Sequence, residues 1–293
     1  MYQDQVSLRV GLYEKALPEY FSWQDKLVAA KTLGFDFLEI SIDETAEKRA
    51  RLDWCNDDIY ALRRLCEQHG IALHSMCLSA HRKFPFGSAN PDVVNQAKTI
   101  MLKAITLAYK LGIRVIQLAG YDVYYEPADE RTHQRFIQGM TWCAKQAEKA
   151  SVMLAVEIMD TNYLNSLSKF EILKQHIPSL YFMAYPDVGN INGWNYDVCT
   201  ELQLSNRHIV QIHLKDTYCV KSGYGGQFRD LVIGEGEVDF AAIFATLKKM
   251  NYQSPVVIEM WAKDEQWQDN IIRAKQRLCE ASAASGITLF SRA

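Results

Sequence analysis

The stretch LAYKLGIRVIQLA, residues 107–119, carries a helical run into Gly112 and then directly into an apolar strand. Glycine at a helix C-terminus followed at once by a β-type run marks a helix that feeds a strand lying parallel to the one before it. Two earlier stretches repeat the pattern: AAKTLGFDFLEI at 29–40 turns on Gly34, and LCEQHGIALHSM at 65–76 turns on Gly70. Helix starts are written as clearly. Asn90-Pro91-Asp92 sets a capping side chain before a proline at the first helical position, and Ser22 with Asp25 forms a capping-box pattern.

Carried along the chain, the pattern predicts strands near 6–12, 35–41, 71–78, 113–119, 152–158, 181–186, 208–214 and 254–260. Helices are expected near 22–33, 56–69, 92–111, 129–149, 168–177, 195–206, 238–249 and 264–284. Eight alternating units without a linker or a shift in composition predict an α/β fold, a closed (β/α)8 TIM barrel formed by one domain over 1–293. An open doubly wound sheet would carry a G-x-G-x-x-G turn after an early strand, and none occurs.

Composition narrows the function. The formal charge of -3 gives no electrostatic footprint for nucleic acid or an acidic membrane surface, which leaves a small molecule as the expected partner. Seven dispersed cysteines without a C-x-x-C pair read as reduced thiols rather than a disulfide framework or a zinc–thiolate site, with Cys77 a core residue. With no signal-like or membrane-spanning segment, a cytoplasmic protein is expected.

Four late strands end on polar residues. Glu157 follows VMLAV, Asp187 follows LYFMAYP, His213 lies in IVQIHLKD and Glu259 closes PVVIE. A polar group at the end of a buried strand is costly unless it meets a partner, and in barrels of this kind chemistry gathers at the carboxyl ends of the strands. Taken one at a time, each has a plainer role: an exposed acid, a turn residue in YPDVGN, a satisfied core histidine. Together they predict one mononuclear metal site of carboxylate oxygens and an imidazole, suited to Zn²⁺ or Mn²⁺ first, with Co²⁺ or Mg²⁺ also accommodated. The remaining histidines, His69, His74, His133, His176 and His208, form no second constellation, and the odd spacing from His208 to His213 places them on opposite faces of a strand.

The stretches AVEIMD, YPDVGN, HLKDT, GEGEVDF and VVIEMW, at 155–160, 185–190, 213–217, 234–240 and 256–261, resemble the xylose-isomerase-like barrels in their ketose 3-epimerase branch. GLYEKALP at 11–18, KTLGFDFLEISIDE at 31–44, RLDW at 51–54, SMCLSAHRKFP at 75–85 and IRVIQLAGYDVYY at 113–125 extend the similarity over nearly the whole chain. The resemblance implies that Glu157, Asp187, His213 and Glu259 ligate the metal and that the two glutamates also exchange the proton. It implies interconversion of L-xylulose 5-phosphate and L-ribulose 5-phosphate, as in L-ascorbate degradation, by a homodimer. Inverting carbon 3 of a 2-ketose requires removing the proton beside the carbonyl and returning one from the opposite face, so two acid–base groups must flank the sugar. Candidate substrate contacts are His81 and Arg82 past strand three, Gln117 and Asn190 at strand ends, and Arg229. The phosphate is expected at the glycine-rich segment 217–237, near Lys221 and Arg229. Tyr13 is a candidate wall. Alternatives remain a 3-epimerase or an aldose–ketose isomerase acting on another phosphorylated or free sugar, a metal-dependent endonuclease, which the acidic balance disfavours, and a sugar-binding regulator without catalysis.

Overall fold

The computed structural model describes residues 6–290. Eight strands, β1 (Val10–Tyr13), β2 (Phe37–Ile42), β3 (Ala72–Leu78), β4 (Val115–Ala119), β5 (Met153–Glu157), β6 (Phe182–Tyr185), β7 (Ile212–Leu214) and β8 (Val256–Ile258), make one sheet. All pair in parallel, in the order β6-β5-β4-β3-β2-β1-β8-β7. The two ends of that order meet through parallel bridges, Ala184 with Ile209 and Asp187 with His213, which close the ring. The major helices α1 (Trp23–Thr32), α2 (Asn56–His69), α3 (Pro91–Leu111), α4 (Glu130–Ala150), α5 (Leu167–His176), α6 (Val198–Leu204), α7 (Phe240–Lys249) and α8 (Trp267–Ala283) alternate with the strands. The predicted barrel is the observed one.

Local chemistry accounts for the boundaries. Ser22 and Asp25 complete a reciprocal capping box at α1, and Asn90 accepts from the Asp92 amide ahead of Pro91 at α3. Gly70 and Gly112 terminate α2 and α3 at φ 69° and 75°, where a Cβ would be strained. Most predicted boundaries fall within two or three residues of the observed ones, and three differences have a clear structural cause. The first strand is split: Val6–Ser7 pairs with Ile287–Thr288, and the chain changes partner after Leu8 donates to Thr288, before β1 begins. Asp187 caps an additional short helix, Val188–Gly193, which delays α6 to Val198. Residues Asn206–His208 form a 3₁₀ turn instead of the start of β7, so His208 lies off the strand, its Nδ1 2.8 Å from Glu171 Oε1.

The period-two alternation of the strands divides the molecule. Leu38, Ile40, Met76, Ile116, Leu154, Val156, Phe182, Ile212 and Ile258 join the large apolar cluster shared with the helices. Their neighbours Tyr13, Phe37, Cys77 and Val257, and separately Val115, Ala155 and Tyr185, form small clusters inside the ring. The inward set also contains the polar residues from which the site is built.

Candidate active site

Glu157 ends β5, Asp187 follows β6, His213 lies within β7 and Glu259 follows β8, so four successive strands each deliver one side chain. Register sets them level: Glu157 pairs with Tyr185, Asp187 bridges His213, and His213 pairs with Val257. All four are buried, and one ligand-type atom from each lies within 4.8 Å of the other three. Asp187 serves two structures at once. Its Oδ1 caps the following helix by accepting from the Asn190 amide at 2.9 Å, while Oδ2 has no hydrogen-bonding partner and points among the other acids.

The cluster fits a cation. Three buried carboxylates converge on one point, and Asp187 Oδ2 and Glu259 Oε2 are buried without a hydrogen bond. Leaving such atoms unpartnered in a dry interior costs roughly 1–3 kcal/mol each, more when charged. Lys215 offers partial compensation, with Nζ 2.6 Å from Asp187 Oδ2 and 3.5 Å from Glu259 Oε2, contacts of charge rather than hydrogen-bond geometry. His213 turns Nδ1 toward the acids, 2.9 Å from Glu157 Oε1 and 3.5 Å from Glu259 Oε2. Its other nitrogen, Nε2, lies 2.7 Å from Glu39 Oε1. Nδ1 with one oxygen from each acid makes an O₃N donor set for a divalent ion.

Burial raises the Asp187 carboxyl to about 6; the Lys215 ammonium opposes this and the Glu259 charge adds to it. Burial likewise raises Glu157, against the contact with His213. For His213 burial disfavours the imidazolium, but the charges of Glu259 and Glu39 outweigh it and hold the ring well above its usual range. Protonated His213 and Lys215 are therefore the counter-charges of the ion-free cluster.

Above the cluster opens a cavity whose lining includes Tyr13, Arg82, Asn190, Lys215, Arg229 and Trp261. Arg82 lies over the rings of Tyr121 and Tyr124, 5.7 and 4.9 Å from their centres, with Nε unpartnered. Arg229 reaches to 3.6 Å from Asp160 Oδ2 on the same wall. Gln117 donates to Glu157 Oε2, and its own Oε1 is buried without a partner. Asn190 donates to the Ile158 carbonyl and accepts from Lys215 at 2.8 Å. His81 is placed elsewhere: its Nε2 lies 3.1 Å from the Ala97 carbonyl and its ring packs on Phe86, supporting the turn that carries Arg82. Lys221 is exposed and paired with Glu237 at 2.5 Å, so of the two cations expected in the 217–237 segment only Arg229 lines the cavity. Tyr13 is a wall, with its hydroxyl 3.2 Å from Ser41 Oγ, and Cys77 is a buried cavity-lining thiol pushed far up by burial, which leaves it unreactive.

The model of the family described as "Xylose isomerase-like TIM barrel" matches residues 27–280. This chain belongs to that family. It is 52% identical over 255 residues to SgbU of Escherichia coli K12, provisionally named an L-ribulose-5-phosphate 3-epimerase, covering 87% of this chain and 89% of that one. It is 48% identical over 254 residues to the L-ribulose-5-phosphate 3-epimerase UlaE of Escherichia coli strain Crooks, covering 87% of each. Among solved structures, one titled "Structure of L-ribulose 3-epimerase" shares the fold at TM-score 0.76 and 19% identity, covering 95% of both chains.

Other residues that build this xylose isomerase-like site carry weaker sequence signals. Glu39 and Lys215 are inward residues of β2 and just past β7, each two positions from another inward polar residue, Ser41 and His213; the strand period marks them once the ligands are known. Asp216 organises the segment behind the site: Oδ2 accepts from the Gly234 and Gly236 amides at 2.7 and 2.9 Å, and Oδ1 accepts from Thr217 and Val238. A Cβ on Gly236 would stand 2.2 Å from Asp216 Oδ1, which explains why GEG follows KDT in this family member.

Beside the cavity, and sharing Lys15 and Trp261 with it, lies a second recess lined by Glu14, Lys26, Lys48 and Asp43. Buried Glu14 receives Lys26 at 2.9 Å, Lys48 at 3.1 Å and Arg51 at 2.5 Å. Burial works against the Glu14 carboxylate, but Arg51 and the two lysines hold it far below the usual range. Three cations against one carboxylate leave an excess of two positive charges; Lys15 is balanced by Asp43 at 2.5 Å, and Glu19 is exposed at the rim.

Proposed function

We propose that this protein is a divalent-metal-dependent ketose-phosphate 3-epimerase that interconverts L-xylulose 5-phosphate and L-ribulose 5-phosphate, the reaction the names of its relatives describe. The observation that carries the reading is the pair Glu157 and Glu259, brought from β5 and β8 to either side of Asp187 and His213 and lining one cavity. Carboxylates arriving from two sides supply what inversion at carbon 3 needs, one to take the proton and one to deliver it to the other face. Burial raises the Glu157 carboxyl when no cation is beside it, and a bound divalent cation would favour its ionised, proton-accepting form. Gln117 donates to Glu157 and fixes its carboxylate, while Lys215, held by Asn190 and Asp187, places a positive charge beside Glu259. Glu157, Asp187, His213 and Glu259 would hold the ion, Mn²⁺ and Zn²⁺ being the first to test. When bound, a divalent cation supplies positive charge that lowers the cost of the developing oxyanion.

Trp261 and Tyr13 wall the cavity, and Arg82, Asn190 and Arg229 are the lining groups positioned to contact the sugar's oxygens; Gln117, fully buried and outside that lining, acts on Glu157 instead. For the phosphate we favour the Lys15 side over the 217–237 segment, because Lys26, Lys48 and Arg51 exceed the charge of Glu14 there and Lys15, although paired with Asp43, lines both that recess and the cavity, whereas Lys221 is exposed and outside both. Lys15→Gln is then expected to raise KM for the phosphorylated ketose roughly ten-fold or more, the loss of one charge-assisted contact, and to leave the unphosphorylated ketose unaffected. Arg229→Gln should raise KM for both. Equal sensitivity of the two substrates to Lys15→Gln would place the phosphate elsewhere. The cytoplasm and a homodimer complete the reading, the first supported by seven unpaired cysteines and the absence, among the described residues, of a helix long and apolar enough to cross a membrane.

The direct test is NMR of L-xylulose 5-phosphate with metal-loaded protein in D₂O. The expected result is L-ribulose 5-phosphate carrying deuterium at carbon 3. An aldose product would identify an isomerase instead, and tight sugar binding without turnover would identify a regulator.

A further inference from the structure

Glu39 of β2 is fully buried beneath the acid cluster, and it is absent from the residues that line the cavity, so substrate does not reach it. A carboxylate in that position is expensive, and a fold that needed only packing would be better served by an apolar side chain. Its hydrogen bonds form a directed network. Glu39 Oε2 accepts from Ser75 Oγ at 2.6 Å and from Tyr185 Oη at 2.7 Å, while Oε1 lies 2.7 Å from His213 Nε2. Gln211 Nε2 donates to Ser75 Oγ and to Tyr185 Oη, both at 2.8 Å.

Following the protons around this network leaves one arrangement. The Nε2 group of Gln211 faces both hydroxyls and can only donate, so each hydroxyl accepts from it and must send its own hydrogen to Glu39. An ionised Glu39 can only accept, so the ring nitrogen facing it must be N–H. The lone pair of a neutral His213 is then on Nδ1, the nitrogen 2.9 Å from Glu157 Oε1. The Tyr185 ring, tilted 65° to the imidazole with centroids 4.6 Å apart, restricts the ring's remaining rotation.

We infer that Glu39 is a positioning residue for the ion site: with Ser75, Tyr185 and Gln211 it fixes the tautomer and orientation of His213 so that Nδ1 is presented to a divalent cation. The inference rests on the reading of Glu157, Asp187, His213 and Glu259 as an ion site. Hydrogen-bonded carboxylates behind a ligating histidine typically contribute 10–100-fold in metal affinity. Glu39→Gln keeps the shape but turns an amide N–H toward either the imidazole N–H or the two committed hydroxyls, so one contact becomes repulsive.

The experiment is chelator competition for Mn²⁺ and Co²⁺ on purified wild type and Glu39→Gln, with the visible spectrum of the Co²⁺-loaded proteins and the melting temperature of the ion-free proteins. The expected result is a loss of about 10–100-fold in affinity and an altered Co²⁺ spectrum, with the near-UV circular dichroism of the ion-free protein retained. Equal affinity and an unchanged spectrum overturn the inference, even if the variant melts lower, because that outcome assigns Glu39 to fold stability. Should Glu39→Gln fail to fold, Tyr185→Phe and Ser75→Ala each remove one donor to the same carboxylate. A drop in affinity in either supports the inference, and unchanged affinity in both overturns it. Failure of the wild type to bind either ion would instead reject the ion site, and this inference with it.

Discussion

Glu157→Gln and Glu259→Gln are each expected to lower the epimerisation rate by roughly a thousand-fold or more when assayed at saturating metal, since each removes a proton carrier of the kind that contributes 10²–10⁴-fold. Each change also weakens one donor to the ion, which adds to the loss. The two variants should not be equivalent. With Glu157 disabled, Glu259 can still remove and return a proton on its own side of the sugar, so one epimer continues to exchange its carbon 3 hydrogen with D₂O without inverting. With Glu259 disabled, the other epimer does so. Complementary, one-sided exchange in the two variants is the signature of acid–base groups placed on opposite faces. Full turnover in both would reject the mechanism, and exchange of the same epimer in both would show that one carboxylate serves both faces.

Stripping divalent ions with a chelator is expected to abolish turnover and to lower the melting temperature, with both restored by Mn²⁺ or Zn²⁺. An ion present at a hundred times its Kd stabilises the folded state by about 2.7 kcal/mol, several degrees for a protein of this size. The geometry explains the coupling: the ion would replace the strained balance in which Asp187 Oδ2 and Glu259 Oε2 lack hydrogen bonds and lean on Lys215 and His213. The pH dependence follows from the same groups. Binding needs Asp187 and Glu157 ionised and Nδ1 of His213 free of its proton, and all three hold their protons to higher pH than usual, Asp187 to about 6. Affinity should therefore rise with pH across the neutral range and fall steeply below about 6, with protons released on binding, measurable by calorimetry in buffers of different ionisation enthalpy. A chelated protein that keeps its turnover and its melting temperature would remove the ion from the account.

The contrast between His213 and Glu39 shows how far the sequence reaches. His213 interrupts an apolar strand and is followed by KDT, so its place among Glu157, Asp187 and Glu259 could be read from four strand ends. Glu39 interrupts FDFLEI in the same way, yet nothing near it in sequence announces that it meets a histidine 174 residues away. Arg229 could be singled out as a cation of a glycine-rich segment. That Lys221, from the same segment, turns away to Glu237 while Lys26, Lys48 and Arg51 converge on Glu14 depends on which elements the barrel brings side by side.

Helix caps, C-terminal glycines and the alternation of apolar runs act within a few residues, so they are legible along the chain and were enough to specify eight strand–helix units and the strand ends that carry Glu157, Asp187, His213 and Glu259. Partner choice among buried charges is decided differently. It is settled by strand register and ring closure, which set residues far apart in sequence at hydrogen-bonding distance where water is excluded and each charge must find its counterpart. Only the folded barrel could show which acid stands behind His213 and where the surplus cations gather.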